Sequence, residues 1–589
     1  MAETPSNSLR AMTKDDRLYR MRHSAAHAMA EAVLEMFPEA RFAIGPPIDS
    51  GFYYDFELPR SLAPEDLEEI ERRMRAQVEA DHRFERSEVG KEEARTIFAA
   101  QPYKLELIDG ITSATVSLYR HDGFLDLCEG PHVASTGQIP PFKLMSIAGA
   151  YWRGDEHRPM LQRVYGALFE TQEELDEHLE MLEEARRRDH RKLGRELGLF
   201  TFSEDVGSGL PLFLPKGEAI RHVMESYERE VQTRYGYQHV WTGNIVRAEL
   251  YVKSGHMEHY RDAMFPLMTD GEEVHALKPM NCPSHMMLYK SQLHSYRDLP
   301  LRYAEFATLY RYEKSGELGG LTRVRSLTQD DAHIFCTPDQ VRGEFARALA
   351  ILREVLEAYG LTSYFTRLSL RDRGSDKYVA DDDRWERAEQ ALRTALDAAG
   401  LEYVPATGEA AFYGPKADFI ARDALGREWQ ISTIQVDFIQ PARLGLEYIG
   451  DDGQAHTPVM LHRAVMGSTE RFLGLLIEHY AGAFPVWLAP VQATLIPIAD
   501  RHVEYARGVQ ERLQTAGLRS EIDSRSERMN AKIRQAQLEK VPYMLVVGDK
   551  EEETDTVAVR LRNGENLGPI PLQDCIDRML DEVARKSHS

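Results

Sequence analysis

The chain has 589 residues, 43% of them hydrophobic and 28% charged, and a formal net charge of −23 at pH 7. That length holds three or four domains, each with its own core, and the acidic balance excludes non-specific nucleic-acid binding by the whole surface, so any such partner must meet local basic patches. Four cysteines (Cys128, Cys282, Cys336 and Cys575) are too few for a disulfide framework. The chain has no apolar run of membrane-spanning length, and its first residues, MAETPSNSLRAMTKDD, have no apolar core like that of a signal peptide. A reducing cytoplasmic setting without membrane attachment is expected.

Residues 1–20 read as an N-terminal tail. From Tyr19 to Phe37 the pattern is helical, and Pro38 ends it. Gly45-Pro46-Pro47 and Asp49-Ser50-Gly51 are turn punctuation. FYYDF (52–56) is strand-like, Pro64–His82 is a charged amphipathic helix, and Val116–Leu127 and Met160–Phe169 are strand-like runs. Together, residues 21–170 form one α+β domain. His23 and His27 stand four apart, on one face of the first helix, and DLCEGPHV adds Cys128 and His132. Three imidazoles and a thiol make a metal-like constellation, although a His pair on an amphipathic helix is more often core or surface decoration.

Residues 171–200 predict a single charged linker helix, acidic in its first half and basic in its second, which suits the helix dipole. Its run Arg186–Lys192 is either a contact for RNA phosphate or a solvated helix end. From 201 to 484, strands run among helices, as in an α+β domain built on an antiparallel sheet. Two segments stand out there: KPMNCPSH around Cys282, and LYRYEKSGELGGLTRVRSLTQDDAHIF, 309–335. The second reads as a hairpin-like element. Arg311 and Glu313 lie on one arm, Gly316, Gly319 and Gly320 at the tip, and Arg323 and Arg325 on the return, with His333 beyond. Possible metal ligands thus neighbour cations suited to oxyanions. WQISTIQVDF alternates as a strand with one face on a ligand. From Pro485, TLIPIA, a helix over His502–Ala516, SEIDS, a further helix, MLVVGD and VAVRLR alternate as an α/β domain with βαβ units.

The Arg-x-Glu, Gly-rich loop and returning strand resemble motif 2 of class II aminoacyl-tRNA synthetases. LHRAVMGSTERFLGLLIEHY, from Leu461, resembles their motif 3, with Arg471 as its arginine. Cys282, His333 and His462 together are similar to the zinc triad of the threonyl-tRNA synthetase family. The resemblance runs from about Arg22 to the C-terminus and has three departures. Bacterial members usually carry a small N-terminal ubiquitin-like domain, expected to be absent here. Gly243, in VWTGNI, stands where motif 1 usually has proline, and Ser526 where related chains often have asparagine.

The resemblance implies an α+β multidomain protein. It would comprise an α+β editing domain (21–170), the linker helix (171–200), a class II antiparallel-sheet catalytic core (201–484) and a C-terminal α/β anticodon-binding domain (485–589). The implied activity is threonine–tRNA ligation. ATP activates L-threonine, the threonyl group passes to tRNA(Thr), and mischarged Ser-tRNA(Thr) is hydrolysed. Zn2+, one per subunit, would sit on Cys282, His333 and His462, with Asp330 and Asp331 supporting it or meeting the substrate amine. A centre that binds both amine and side-chain hydroxyl rejects valine, which an apolar pocket would reject only by about 10²-fold; serine keeps the hydroxyl, so a second, hydrolytic site is expected. Arg311 and Arg471 take the catalytic roles. Arg311, Glu313, Arg323, Gln430, Thr433 and Arg471 would hold ATP with its Mg2+. Met280, Gln329, Asp331, Tyr413 and Gln435 would line the amino-acid pocket, with Lys416 nearby. His23, His27, Lys104, Asp126, Cys128 and His132 would form the editing site, without a required metal. Arg534, Glu551 and Arg560 would read anticodon bases, and Arg525 and Arg528 would touch phosphate. A homodimer is implied by motif 1. Two alternatives stay open: a sister class IIa synthetase such as a prolyl one, which does not use this zinc pocket, and an RNA-binding regulator without catalysis, which should lack a motif arginine or a zinc ligand.

Overall fold

In the computed structural model, which describes residues 12–155, 157–422 and 427–587, the chain divides into two units, Met1–Glu183 and Glu184–Ser589. Of the expected N-terminal tail, residues 1–11 lie outside the described residues, and helix begins at Lys14. Thr13 caps it by accepting from the Asp16 N–H, and Asp15 and Asp16 favour its positive end. This helix, Lys14–Met36, is buried without interruption from Ser24 to Val33. It therefore runs through the first unit's core, packed with Phe52, Phe56, Ile70 and Val164. An antiparallel sheet orders the strands Arg41–Phe42, Gly51–Glu57, Met160–Leu168 and Phe142–Tyr151. A second, three-stranded sheet holds Glu85–Gly90, Thr115–His121 and Phe124–Leu127. The strand-like segment Val116–Leu127 is a hairpin, turning where Asp122 takes φ +42° beside Gly123.

The expected single helix over 171–200 is two helices, Gln172–Arg188 and His190–Glu196. Asp189 separates them: its carboxylate accepts the Arg191 N–H and starts a new helix. Phe200–Thr201 is a short strand.

The second unit is built on an eight-stranded sheet. Its order is Gln238–His239, Leu301–Tyr310, Ser326–Cys336, Val459–Ala464, Glu428–Asp437, Lys416–Arg422, Tyr364–Leu370 and Tyr403–Thr407. The central pairings are antiparallel and the two outermost are parallel. Alternation along the strands sends Ala332, Ile334, Leu461, Ile434 and Val436 to one face, packed with Ile220, Phe345 and Phe472 from the helices Pro215–Arg234, Val341–Ala358 and Thr469–His479. The neighbours His333, His462 and Gln435 point to the other face.

The C-terminal sheet orders Ser520–Ile522, Ala493–Pro497, Tyr543–Val547, Thr556–Leu561 and Asn566–Pro571. Its first three strands are parallel and its last two antiparallel. Val503–Thr515 and Met529–Leu538 make the crossovers expected of βαβ units. Among the described residues, no helix is long and apolar enough to cross a membrane.

Candidate active site

Sheet register creates the first half of the site. His333 lies directly opposite His462 on the adjacent strand, with ring centroids 4.8 Å apart, and Gln435 faces His462 from the other side. Cys282 opens the helix Cys282–Lys290 and points its thiol at the pair. The ligand atoms of Cys282, His333 and His462 all lie within 4.8 Å of one another, and all three residues are buried.

Hydrogen bonds fix the tautomers of both rings. His462 Nε2 is 3.0 Å from Asp437 Oδ2, which can only accept, so the proton is on Nε2 and the Nδ1 lone pair is presented. His333 Nδ1 is 2.8 Å from His285 Nδ1, and His285 Nε2 is 3.0 Å from Glu305 Oε2. His285 Nε2–H donates to the Glu305 carboxylate, so His285 Nδ1 carries a lone pair and accepts from His333 Nδ1–H. That leaves the His333 Nε2 lone pair facing the thiol and Asp331. Burial alone would raise Glu305, but bonds from His285, Asn281 and the Thr242 N–H, with Lys278 nearby, bring its carboxyl down to about 2. Burial, with Asp331 and Asp437, pushes the Cys282 thiol well above its ordinary range, and burial with His285 and His462 keeps His333 neutral. A thiol that ionises only beside a cation, and two imidazole lone pairs with their other nitrogens anchored, is the donor set of a three-protein-ligand zinc site. The residues present fit that ion.

One cavity of about 460 Å³ is lined by Met280, Cys282, Arg311, Glu313, Arg323, Gln329, Asp331, His333, Tyr413, Lys416, Gln430, Thr433, Gln435, His462 and Arg471. The structure therefore brings together every residue expected to bind metal, amino acid or nucleotide except Asp330. At the metal end, Tyr413 stacks on His462 with centroids 4.9 Å apart and donates its hydroxyl to Gln435 Oε1 at 2.8 Å. Burial raises the Asp331 carboxyl to about 6, and its Oδ1 lies 3.8 Å from His333 Nε2. Asp330, expected beside the metal, is on the opposite face. Its Oδ2 accepts the Val465 N–H at 2.6 Å and sits 3.7 Å from the buried Arg463, because adjacent strand residues point to opposite sides.

The other end gathers guanidinium groups. Arg471 is lowered by burial and by the like charges of Arg311 and Arg323, a field that favours an anion. Its Nε donates to Thr322 O at 2.9 Å, and its helix, Thr469–His479, is capped by Ser468. Gln430 and Thr433 both donate to Asp418 Oδ1, at 2.9 and 2.8 Å. The arms expected to form a hairpin are not paired strands. Strand pairing stops at Tyr310 and resumes at Ser326, so Arg311, Glu313, Arg323 and Arg325 occupy a wide loop closed at its base by Arg311 N–H to Arg325 O, 2.9 Å. Within that loop Arg323 pairs with Glu313 at 2.8 Å and Glu317 at 3.0 Å.

Sequence reasoning missed His285, Glu305, Asp437 and His256. His285 lies in KPMNCPSH, one helical turn from Cys282, and that spacing is a usable signal. His256, buried 3.2 Å from Met280 Sδ and 3.9 Å from Cys282 Sγ, carried none.

In the first unit, the ligand atoms of His23, His27, Cys128 and His132 also lie within 4.8 Å of one another. Cys128 Sγ is 3.3 Å from His23 Nε2 and 3.2 Å from His132 Nε2. Burial lifts the Cys128 thiol to about 12 and holds His132 down at about 2, so the cluster is uncharged. Beside it Asp126 accepts from Lys104 at 2.5 Å and from the Tyr54 hydroxyl at 2.6 Å, and lies 3.5 Å from His27 Nε2. Tyr54 was visible only as part of a strand-like FYYDF; its face became readable with the sheet.

Arg534 is on the helix Met529–Leu538, Glu551 on Asp549–Thr554, and Arg560 on the strand Thr556–Leu561. Glu551 caps its own helix, accepting the Gly548 N–H at 3.0 Å. Arg525 is paired with Asp523 at 2.6 Å.

A family profile described as "tRNA synthetase class II core domain (G, H, P, S and T)" matches residues 265–480. "Anticodon binding domain" matches 492–582, and "Threonyl and Alanyl tRNA synthetase second additional domain" matches 116–165. A threonine–tRNA ligase of Rubrobacter xylanophilus is 64% identical over 571 residues, spanning 97% of this chain and 89% of that one. One from Thermus thermophilus is 52% identical, spanning 98% of this chain and 91% of that one. The solved RNA binding domain of threonyl-tRNA synthetase from Cryptosporidium parvum superposes with a TM-score of 0.62 at 38% identity, covering 67% of this chain and 98% of that one. The chain belongs to the threonine–tRNA ligase family of class II aminoacyl-tRNA synthetases.

Proposed function

We propose that this chain activates L-threonine with ATP, transfers the threonyl group to tRNA(Thr) and hydrolyses Ser-tRNA(Thr). The observation that carries the proposal is one cavity with a thiol and two imidazoles converging at one end and three guanidiniums at the other. Cys282, His333 and His462 would hold zinc, which would supply a Lewis acid that distinguishes a β-hydroxy amino acid from its methyl isostere. Asp331 receives the substrate ammonium, while Tyr413 and Gln435, locked to each other, close the wall, with Met280 and Gln329 completing it. Arg311 holds the threonine carboxylate against the α-phosphate. A carboxylate oxygen bonds to the α-phosphorus and pyrophosphate leaves, a step that needs positioning and charge neutralisation. Arg323 and Arg471 hold the outer phosphates with Mg2+, Glu313 meets the adenine amine, and Gln430 and Thr433 border the nucleotide.

In the editing site, Asp126 holds the seryl amine and Lys104, His23, His27, Cys128 and His132 orient water and the 3′-adenosine, with no metal required. Arg534, Glu551 and Arg560 read the anticodon. The domain limits remain those proposed from sequence: editing 21–170, catalytic 201–484 and anticodon-binding 485–589. A homodimer is supported by apolar side chains left in solvent around motif 1: Trp241 79% exposed, Ile245 58% and Val252 59%. Gly243 has no positive φ, and an added Cβ would meet Ile245 O at an ordinary 3.7 Å, so the backbone does not demand glycine there. The work of such an enzyme is assigned to the cytoplasm.

Pyrophosphate exchange with threonine, serine and valine, with and without zinc chelation, tests the proposal. Threonine should be active, serine partly so, valine nearly silent, and chelation should abolish all three. Full threonine selectivity in Cys282→Ala defeats the metal reading.

A further inference from the structure

The basic run Arg186–Lys192 reads by composition as an RNA contact or a solvated helix end, yet one of its side chains, His190, is turned inward. His190 is 5% exposed. Its Nδ1 is 2.7 Å from Glu478 Oε1, and its Nε2 is 3.1 Å from the backbone N–H of Leu321. A carboxylate accepts and a backbone N–H donates, so the ring is the neutral tautomer with its proton on Nδ1. Asp189, His190 and Glu478 gather like metal ligands, but both ring nitrogens are engaged and Asp189 caps Arg191.

The contact is tight. Gly320 takes φ +57°, and a Cβ there would stand 2.3 Å from His190 Nε2 and 2.8 Å from Arg191 Cγ. Leu321 is fully buried. On the far side, Thr322 O receives Arg471 Nε at 2.9 Å. A Cβ at Gly474 would be only 3.4 Å from Leu321 Cβ. The segment Gly320–Thr322 is therefore clamped between His190 and the Thr469–His479 helix, and Glu478, on that same helix, holds the imidazole. The next residue, Arg323, and Arg471 both line the cavity, whereas His190 does not.

We infer that His190 is a positioning residue for the nucleotide. It ties the return side of the motif 2 loop to the motif 3 helix and so sets the spacing of Arg323 and Arg471 for one triphosphate. This rests on the reading that those arginines hold ATP phosphates.

Pyrophosphate exchange on the full chain tests it. His190→Asn keeps a donor for Glu478 but has no group that reaches Leu321; His190→Gln offers an oxygen near the position of Nε2. The Asn variant should raise the KM for ATP by about tenfold, the consequence of leaving one buried N–H without its acceptor. The KM for threonine should stay within about twofold, and the Gln variant should recover most of the loss. Gly320→Ala reaches the same contact from the loop side and should raise the KM for ATP while sparing that for threonine, which keeps the test usable if His190→Asn fails to fold. Arg471→Ala is the control. If it weakens ATP while His190→Asn or Gly320→Ala does not, or if both KM values move alike without rescue by Gln, the inference is overturned and the site reading stands. If Arg471→Ala leaves ATP unaffected, the site reading fails and takes the inference with it.

Discussion

His285→Phe removes the acceptor of His333 Nδ1–H, a 2.8 Å bond, and one of the donors that keep Glu305 ionised. The ring that remains is apolar and of similar size, so packing changes little. A buried N–H left without a partner costs about 1–3 kcal/mol. His333 relieves that cost by moving its proton or turning its ring, and either response withdraws the Nε2 lone pair from the position facing Cys282. Partners behind a ligating imidazole are worth about 10–100-fold in metal affinity, which matches the same range of free energy. Zinc competition against a chromophoric chelator should therefore show the dissociation constant rising about 10–100-fold in His285→Phe, with the circular dichroism spectrum retained. Folded His285→Phe that binds zinc as tightly as the parent refutes the tautomer argument.

Cys282→Ala should lose zinc on dialysis and lose threonine-dependent pyrophosphate exchange by more than about 10²-fold, measured on the same preparation. Tyr54→Phe removes a 2.6 Å bond to Asp126; Ser-tRNA(Thr) deacylation should fall about tenfold while threonylation is unchanged, and unaltered deacylation would separate Tyr54 from editing. Arg463→Met leaves Glu228 and Asp330 buried without their cation; urea titration should show about 3–5 kcal/mol of lost stability. Glu305 has a folded pKa of about 2, below its ordinary 4.5, so its contribution is full above about pH 4.5 and disappears as pH falls towards 2. Thermal melts should drop through that window, and Glu305→Gln should flatten the drop.

Legibility in the sequence followed the range of the interaction. The helix expected over Tyr19–Phe37, which spans Lys14–Met36 and so takes in part of the expected tail, and the α/β alternation after Pro485 were readable because periodicity is local. Cys282, His333 and His462 were readable only as pieces of motifs. Nothing in their spacing says that His333 stands opposite His462, because that depends on two antiparallel registers and a strand order linking residues more than a hundred positions apart. The same cause hid Glu305, which pairs with Asp331 across strands, and turned Asp330 away from the place assigned to it. Asp189 was hidden by its surroundings: one carboxylate in a charged run looks like continued helix, although Asp before a turn is also a cap. The misassigned arms of the motif 2 loop have a further reason, since Arg311 and Glu313 continue the polar alternation of a strand that has already lost its partner.

Zinc-edge X-ray absorption on the purified chain reads the donor set of the Cys282–His333–His462 centre itself. One zinc per chain is expected, with a single sulfur neighbour at about 2.3 Å and two imidazole nitrogens at about 2.0–2.1 Å, the sulfur disappearing in Cys282→Ala. A metal-free chain that still selects threonine over valine, or a zinc surrounded by oxygen alone, would contradict it.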